Sequence, residues 1–445
     1  MNWRTTVQRM PLSSRHGARP YVAGTVLAIF SMLVSVSSAM AQGSAMPEPP
    51  RKLEKAERIA VVRGGGYFPV LIRLTNGTLA AVVRGGARHL GAGGRLDLIT
   101  SRDGGKNWST PRPIVYMPPD SRNPAFGQAA DGRLICAFAV TGPHRGGQFV
   151  FESNRYTVWV TTSDDHGDSW TPPQQIKTAP FEYASAYGKI ALLPDGTLLM
   201  ALYGWWQPER EGVELPHDKQ GYFAAVSRSE DNGTSWSPPT PIVGYIPGRR
   251  ENTNYNEIAL VVLPGGPGGK VLAAMRGGPW DGLDQCISSD GGRTWGPIES
   301  IMQGLSRQPG DVILLKSGRL LLTFGHREPP FGVEALLSRN EAGQWDQLAA
   351  ATPATRPATP SRKGGQWDWP THVSLEWNAA SADCGYPSSV ELDDGTIVTL
   401  YYGVGELGKP NDIDESGHGL VPYARCVRYR EADLAVTTTK PVGSK

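Results

Sequence analysis

The chain carries little charge of either sign. Charged residues make up 19% of its 445 positions, and the formal net charge is only +2. A protein that holds nucleic acid or an acidic polymer by bulk charge needs a basic excess or a basic stripe, so neither class fits. Cysteine is scarce as well. The four present, Cys136, Cys286, Cys384 and Cys426, match no zinc spacing. The sequence therefore predicts no metal centre, and nothing in it asks for a cofactor. An oxidising compartment permits a disulfide, with Cys384 and Cys426 the favoured pair; buried free thiols are the alternative. Long apolar runs are missing too, with one exception at the N-terminus.

That exception reads as an export signal. Arg4, Arg9, Arg15 and Arg19 precede an apolar stretch from Tyr21 to Val36, and Ala39-Met40-Ala41 offers a small-residue cleavage site before Gln42. The stretch is short for a membrane-spanning helix. The expectation is a signal peptide over residues 1–41, release to the periplasm or beyond, and no stable membrane association after cleavage. Residues 42–57 read as a linker and 433–445 as a loose tail.

What the chain has in quantity is turn residues and repeats. Its 54 glycines and 37 prolines occur without low complexity, which suits an all-β protein with many turns. The pattern Ser-x-Asp-x-Gly-x-x-Trp occurs four times, at Ser101–Trp108, Ser163–Trp170, Ser229–Trp236 and Ser288–Trp295, with a worn copy from Ser338 to Trp345. Copies start roughly 50 to 66 residues apart, a period that points to a propeller or an array. Asp and Ser bond local backbone in such a turn, and Gly supplies its left-handed residue. The tryptophans read as structural, since burying one removes about 150–250 Å² from water. At ~25 cal/mol per Å² that is about 4–6 kcal/mol gross.

A second repeat interleaves with the first. Apolar runs flank Asn76-Gly77, Asp131-Gly132, Asp195-Gly196, Ser317-Gly318 and Asp394-Gly395, and a longer glycine-rich turn splits Ile258–Arg276. Each is a hairpin signal. Six hairpins predict six blades over residues 58–432. The strand Tyr423–Arg430 is expected to pair with Arg58–Arg63, closing the ring and protecting its edges. The Pro- and Trp-rich insertion 352–384 is expected to fold over one face.

The Asp motif and the six hairpins together resemble the sialidase (neuraminidase) superfamily of Asp-box, six-bladed propellers, over about residues 58–430. The resemblance implies an active-site funnel on the propeller axis. In that superfamily an Arg-Ile-Pro motif opens the first blade; here the place reads Tyr67-Phe68-Pro69, without the arginine. A loop Asp that serves as acid/base is also missing from Arg84–Arg95, where Arg88 and His89 are the only candidates for acid work. Later positions match. Asn256-Glu257, Ala274-Met275-Arg276, Gly325-His326-Arg327 and Cys384-Gly385-Tyr386 resemble the segments carrying the Glu, two arginines and the Tyr. Asp120–Pro124, with Arg122, resembles a central-face segment. By that likeness Tyr386 is the nucleophile and Glu257 its base. Arg276, Arg327 and Arg122 bind an anionic sugar, with Arg88 and His89 nearby.

The expected function is an exported glycoside hydrolase acting on a terminal, acidic sugar of a glycan or polysaccharide. A polysaccharide lyase on the same fold is an alternative. So is a non-catalytic glycan-binding propeller using Trp367, Trp369, Trp377 and Trp205-Trp206 as stacking surfaces. Carbohydrate is the expected partner and nucleic acid is not; the oligomeric state is left open.

Overall fold

The computed structural model describes residues 50–150, 155–206, 222–243, 255–265, 268–277, 282–302, 307–341, 367–405 and 421–435. They form a six-bladed β-propeller, the body of each blade an antiparallel sheet, with blades numbered here in chain order. Blade one runs Tyr67–Arg73, Leu79–Gly85, Arg95–Ser101 and Arg112–Val115. Blade two opens on Ser121–Gln128, blade three on Phe181–Ala186, blade four on Tyr255–Leu263, blade five on Arg307–Leu314 and blade six on Gly385–Glu391. The hairpin signals fall where expected. Leu71 pairs with Ala81 across a turn in which Gly77 has φ +84° and donates its N–H to the Leu74 carbonyl.

Strand periodicity places the core between blades. In blade five, Leu322, Phe324 and Leu336 face Leu272 and Leu283 of blade four. Their neighbours Leu321, Val333, Ala335 and Leu337 face Ile397, Tyr401 and Val427 of blade six. Successive strand residues point to opposite faces, so each blade is apolar on both.

The Asp motifs close the outer turns. Ser101 Oγ donates to Asp103 Oδ1 at 2.8 Å and accepts the Gly105 N–H at 2.9 Å; Trp108 Nε1 then donates to the Gly105 carbonyl at 3.0 Å. The second copy repeats this, with Trp170 Nε1 on Gly167 at 3.1 Å. All four motif tryptophans are only half-buried, so the gain per ring falls short of full burial. In the worn fifth copy Trp345 lies outside the described residues.

Two segments depart from expectation. The insertion does not simply lie over one face: its Val373–Glu376 is the next strand of blade five, beside Gly332–Glu341. Arg51–Lys52, expected as linker, adds a further parallel strand to the same blade. The ring closes through Glu57–Arg63, which pairs with Pro422–Arg430 of blade six. Among the described residues, no helix is long and apolar enough to cross a membrane. Residues 1–41 lie outside the described residues. So does most of the tail, after a helical turn at Glu431–Leu434. All four cysteines are buried and free, so Cys384 and Cys426 are not paired.

Lys189 lies beside blade two, paired with Phe126, and its side chain reaches two other blades. Its Nζ lies 2.6 and 2.8 Å from the Asp311 carboxylate of blade five and donates to the Ser389 carbonyl of blade six at 2.7 Å. Three blades are thereby tied at one point.

Candidate active site

The innermost strand of every blade is irregular near its start. Register shifts occur at Tyr67/Val70, Arg122/Ala125, Phe181/Tyr183, Asn256/Ile258, Arg307/Gly310 and Gly385/Ser388. In four of these blades the bulge holds a non-glycine residue in the left-handed region: Phe68, Asn123, Glu257 and Tyr386, with φ between 46° and 53°. A bulge re-aims a side chain, and a left-handed non-glycine residue costs about 1–3 kcal/mol. The same backbone device thus turns four side chains toward the axis.

Two of the four are the expected Glu and Tyr. The Tyr386 hydroxyl donates to Glu257 Oε1 across 129 positions of sequence, and Arg276 Nη1 donates to Glu257 Oε2 at 2.5 Å. Burial, and next the Glu257 charge, raise the Tyr386 pKa far above its ordinary value. The phenol therefore stays protonated until its proton passes to Glu257. Arg327 stacks over the Tyr386 ring at 5.5 Å, donating to the Cys384 carbonyl and the Tyr402 hydroxyl, each at 3.1 Å. Tyr187 meets the same ring edge-on at 5.4 Å.

In the Tyr67-Phe68-Pro69 segment, Tyr67 stands where the resemblance places the first arginine, and Phe68 beside it turns into the site. The Phe68 ring is 4.9 Å from Tyr386, 5.4 Å from the Arg122 guanidinium and 5.0 Å from His89. Arg122 is buried, 3.8 Å from Asp120. Burial opposes its charge, but Asp120 and then Tyr156, Tyr203 and Tyr386 raise its pKa. Asn123 donates to the Tyr203 hydroxyl at 2.7 Å and to Ser185 Oγ at 3.1 Å.

The first-blade loop does reach the site. His89 Nδ1 is 2.7 Å from Asp383 Oδ1, and the same oxygen accepts from the Tyr402 hydroxyl at 2.7 Å. Burial is the main force that pushes the His89 pKa down, to about 4, against the pull of Asp383. Asp383 is itself held down to about 2: burial opposes its ionisation, but His89, Arg327 and Tyr402 prevail. Arg84 braces the loop from below. It pairs with Asp120 at 2.6 Å and donates to the carbonyls of Arg88 and Gly91 at 2.8 and 2.9 Å. Arg88 lends that carbonyl, while its side chain is exposed.

So Tyr386, Glu257, Arg276, Arg327, Arg122 and His89 converge, and Arg88 stands at the edge. Sequence reading missed Phe68, Asn123, Tyr187 and Asp383. The first three carry a signal: each lies eight residues before its hairpin turn residue, Asn76, Asp131 or Asp195, as Tyr386 does before Asp394. Asp383 carries none, because its partner is 294 positions away. The stacking role expected of the tryptophans is not what two of them do. Trp367 is buried between blades four and five, donating to Gln285 Oε1 at 3.0 Å, because it substitutes for the worn motif beside Ser338. Trp377 sits beneath the Lys52 and Arg58 cations at 5.2 and 4.6 Å. Trp205 is half-buried against Tyr183 and Tyr222.

The family model for the BNR repeat-like domain matches residues 116–399, well over half of the chain. The chain belongs to the BNR repeat-like domain family. This BNR propeller is similar in structure to a protein of unknown function from Dyadobacter fermentans, with TM-score 0.63 and 21% identity, over 84% of this chain and 98% of that one. It is also similar to the intramolecular trans-sialidase from Ruminococcus gnavus, solved with oseltamivir carboxylate. That match has TM-score 0.58 and 14% identity and covers 85% and 98% of the two chains. The NanB sialidase from Streptococcus pneumoniae matches with TM-score 0.56 and 14% identity, over 90% and 73%. At these identities the likeness shows that the propeller fold is shared, and no more. A comparison with curated proteins finds no match.

Proposed function

We propose that this BNR propeller is an exported glycoside hydrolase that cleaves a terminal, anionic sugar from a glycan. The observation that carries the reading is the Tyr386 hydroxyl donating to Glu257 beside Arg276 and Arg327. A tyrosine is suited to attack an anomeric centre that bears or neighbours a carboxylate, because a carboxylate nucleophile would be repelled. Glu257 takes the phenol proton as the attack proceeds, and Arg276 holds Glu257 in place. Arg122 and Arg327 provide cations for the sugar's acid group. With Tyr67 and Phe68 standing where that superfamily has Arg-Ile, the acid group is left to Arg122 and Arg327. A uronic acid fits that arrangement as well as a sialic acid.

Protein lacking residues 1–41 is to be incubated with aryl glycosides and oligosaccharides of sialic, glucuronic and galacturonic acid. Turnover of at least one is expected, reduced at least about 100-fold by Tyr386→Phe and by Glu257→Gln. Activity that survives both substitutions removes the mechanism. Saturable binding without turnover, lost in Arg327→Ala, replaces it with a lectin.

A β-eliminating lyase is the second reading. It is favoured by His89, whose Nδ1 faces Asp383 and so leaves Nε2 as a proton acceptor in the neutral ring. A product with a new carbon–carbon double bond, absorbing in the near ultraviolet, decides for it.

A further inference from the structure

The loop that lacks a carboxylate nevertheless brings a titratable ring to the site. His89 is its only imidazole, and Asp383, from the segment that enters blade six, meets it at 2.7 Å. We propose that the His89–Asp383 pair takes the place of the missing loop acid, giving a proton to the leaving oxygen and taking one back from water. This rests on the hydrolase reading above.

Three features of the geometry carry it. The His89 ring sits 5.0 Å from Phe68, which in turn is 4.9 Å from the Tyr386 ring, so nucleophile and imidazole flank one aromatic floor. Asp383 is 7% exposed and accepts from both His89 and Tyr402, which fixes the imidazole with Nδ1 inward. The loop itself is pinned by Arg84 through two short carbonyl hydrogen bonds. A loop that served only as a solvated connection would need neither the buried guanidinium nor the buried carboxylate.

Glu257 accepts the Tyr386 proton, the phenolate oxygen bonds to the anomeric carbon, and the glycosidic carbon–oxygen bond breaks. The leaving oxygen takes the Nε2 proton of His89. Water then gives a proton to Nε2 while its oxygen bonds to the anomeric carbon. The tyrosyl bond breaks, and the phenolate recovers its proton from Glu257. The net change is addition of one water across the glycosidic bond. The acid form requires His89 to be charged, and the free site opposes this. Desolvation, with Arg122 and Arg327, outweighs Asp383. Tyr67 and Tyr402 also face the ring, and Arg88 flanks it in sequence. An anionic sugar held by Arg122 and Arg327 offsets two of the opposing charges, so binding of the substrate favours uptake of the proton that the leaving group needs.

The test uses the sugar that the panel identifies, as a 4-nitrophenyl glycoside and as a methyl glycoside or oligosaccharide. An acidic phenol departs without protonation; an alkoxide does not. His89→Ala is expected to lower kcat/KM for the poor leaving group by about 10²–10⁴ and for the nitrophenyl compound by less than about tenfold. Asp383→Asn, a change at a positioning residue, is expected to move the descending limb of the pH–rate profile toward acid, which a purely structural role would not do. In the wild type, the descending limb of kcat should lie at higher pH than that of kcat/KM. Equal losses for both substrates in His89→Ala, or none, overturn the pair's role while leaving Tyr386 and Glu257 standing. No turnover of any panel member overturns the hydrolase reading and this inference with it.

Discussion

Replacing Arg84 by methionine separates two jobs that one buried guanidinium does. Arg84 and Asp120 are both fully buried and 2.6 Å apart. Removing the cation leaves Asp120 with the Thr141 hydroxyl at 3.2 Å and Arg122 at 3.8 Å. Breaking a buried pair from one side costs about 3–5 kcal/mol, mostly for the charge left behind. The loop carbonyls of Arg88 and Gly91 also lose their donor, worth about 1.5 kcal/mol each. Arg84→Met is therefore expected to destabilise by about 6–8 kcal/mol in equilibrium urea denaturation. Adding Asp120→Asn removes the stranded charge but not the unpaired carbonyls. The double variant should recover about 3–4 kcal/mol, leaving about 3 kcal/mol for the two unpaired carbonyls. His89-dependent turnover should stay low in both, because the loop remains unbraced. A double variant as unstable as the single one would refute the charge argument. Full recovery of activity in the double variant would refute the bracing argument.

Gly94→Ala tests the same pair from outside, since an added Cβ would fall 1.9 Å from Asp120 Oδ1 and 2.6 Å from two Arg84 nitrogens. It should destabilise by at least about 2 kcal/mol in the same denaturation assay, although its backbone is not left-handed. Lys189→Met should cost about 3–5 kcal/mol by stranding Asp311, and Asp311→Asn in that background should restore part of it. Stability should also fall as pH drops from 6.5 toward about 4. In that window the unfolded chain binds a proton that folded His89, held down by burial, refuses. His89→Gln should flatten that decline by on the order of 2 kcal/mol in denaturation midpoints compared at pH 7 and pH 4. The depressed Asp383 acts lower, its contribution present above its ordinary 3.8 and lost as pH falls toward about 2.

The architecture was legible because its signals are local. A glycine turn between two β-prone runs marks a hairpin wherever it stands, and six such marks count six blades. Closure by the N-terminal strand followed from the same count: blade six had one outer strand too few. What escaped was whatever depended on distant partners. Val373–Glu376 looked like loop because its strand neighbour, Gly332–Glu341, lies before the insertion. Trp367 looked like a sugar platform because Ser338, whose worn motif it completes, is also upstream. In the site, Glu257 and Tyr386 were readable only by resemblance, and Asp383 by nothing at all.

The bulges explain why resemblance worked better than composition. An inner strand in regular alternation would send Glu257 or Tyr386 toward a neighbouring blade, where an ionised or hydroxylated side chain costs several kcal/mol. The left-handed residue instead aims it at the axis for about 1–3 kcal/mol of strain. The device recurs eight residues ahead of the turn in blades one, two and six, and again at Glu257 in blade four, so four blades hold equivalent positions whose side chains differ. Phe68 occupies one such position, next to Tyr67 where the resemblance places an arginine, and Asn123 occupies another. On the hydrolase reading, exchanging a residue at such a position alters what the site binds without changing how the blade folds. On that reading, the loss of one arginine bears on which sugar can enter rather than on stability. The same reasoning predicts that Asn123→Ala, which removes the donor to Tyr203 but keeps the bulge, alters substrate affinity. It should destabilise by no more than about 1–3 kcal/mol, the cost of unpaired buried groups. A larger loss in urea denaturation, with affinity unchanged, would make Asn123 a structural residue and break the equivalence of these positions.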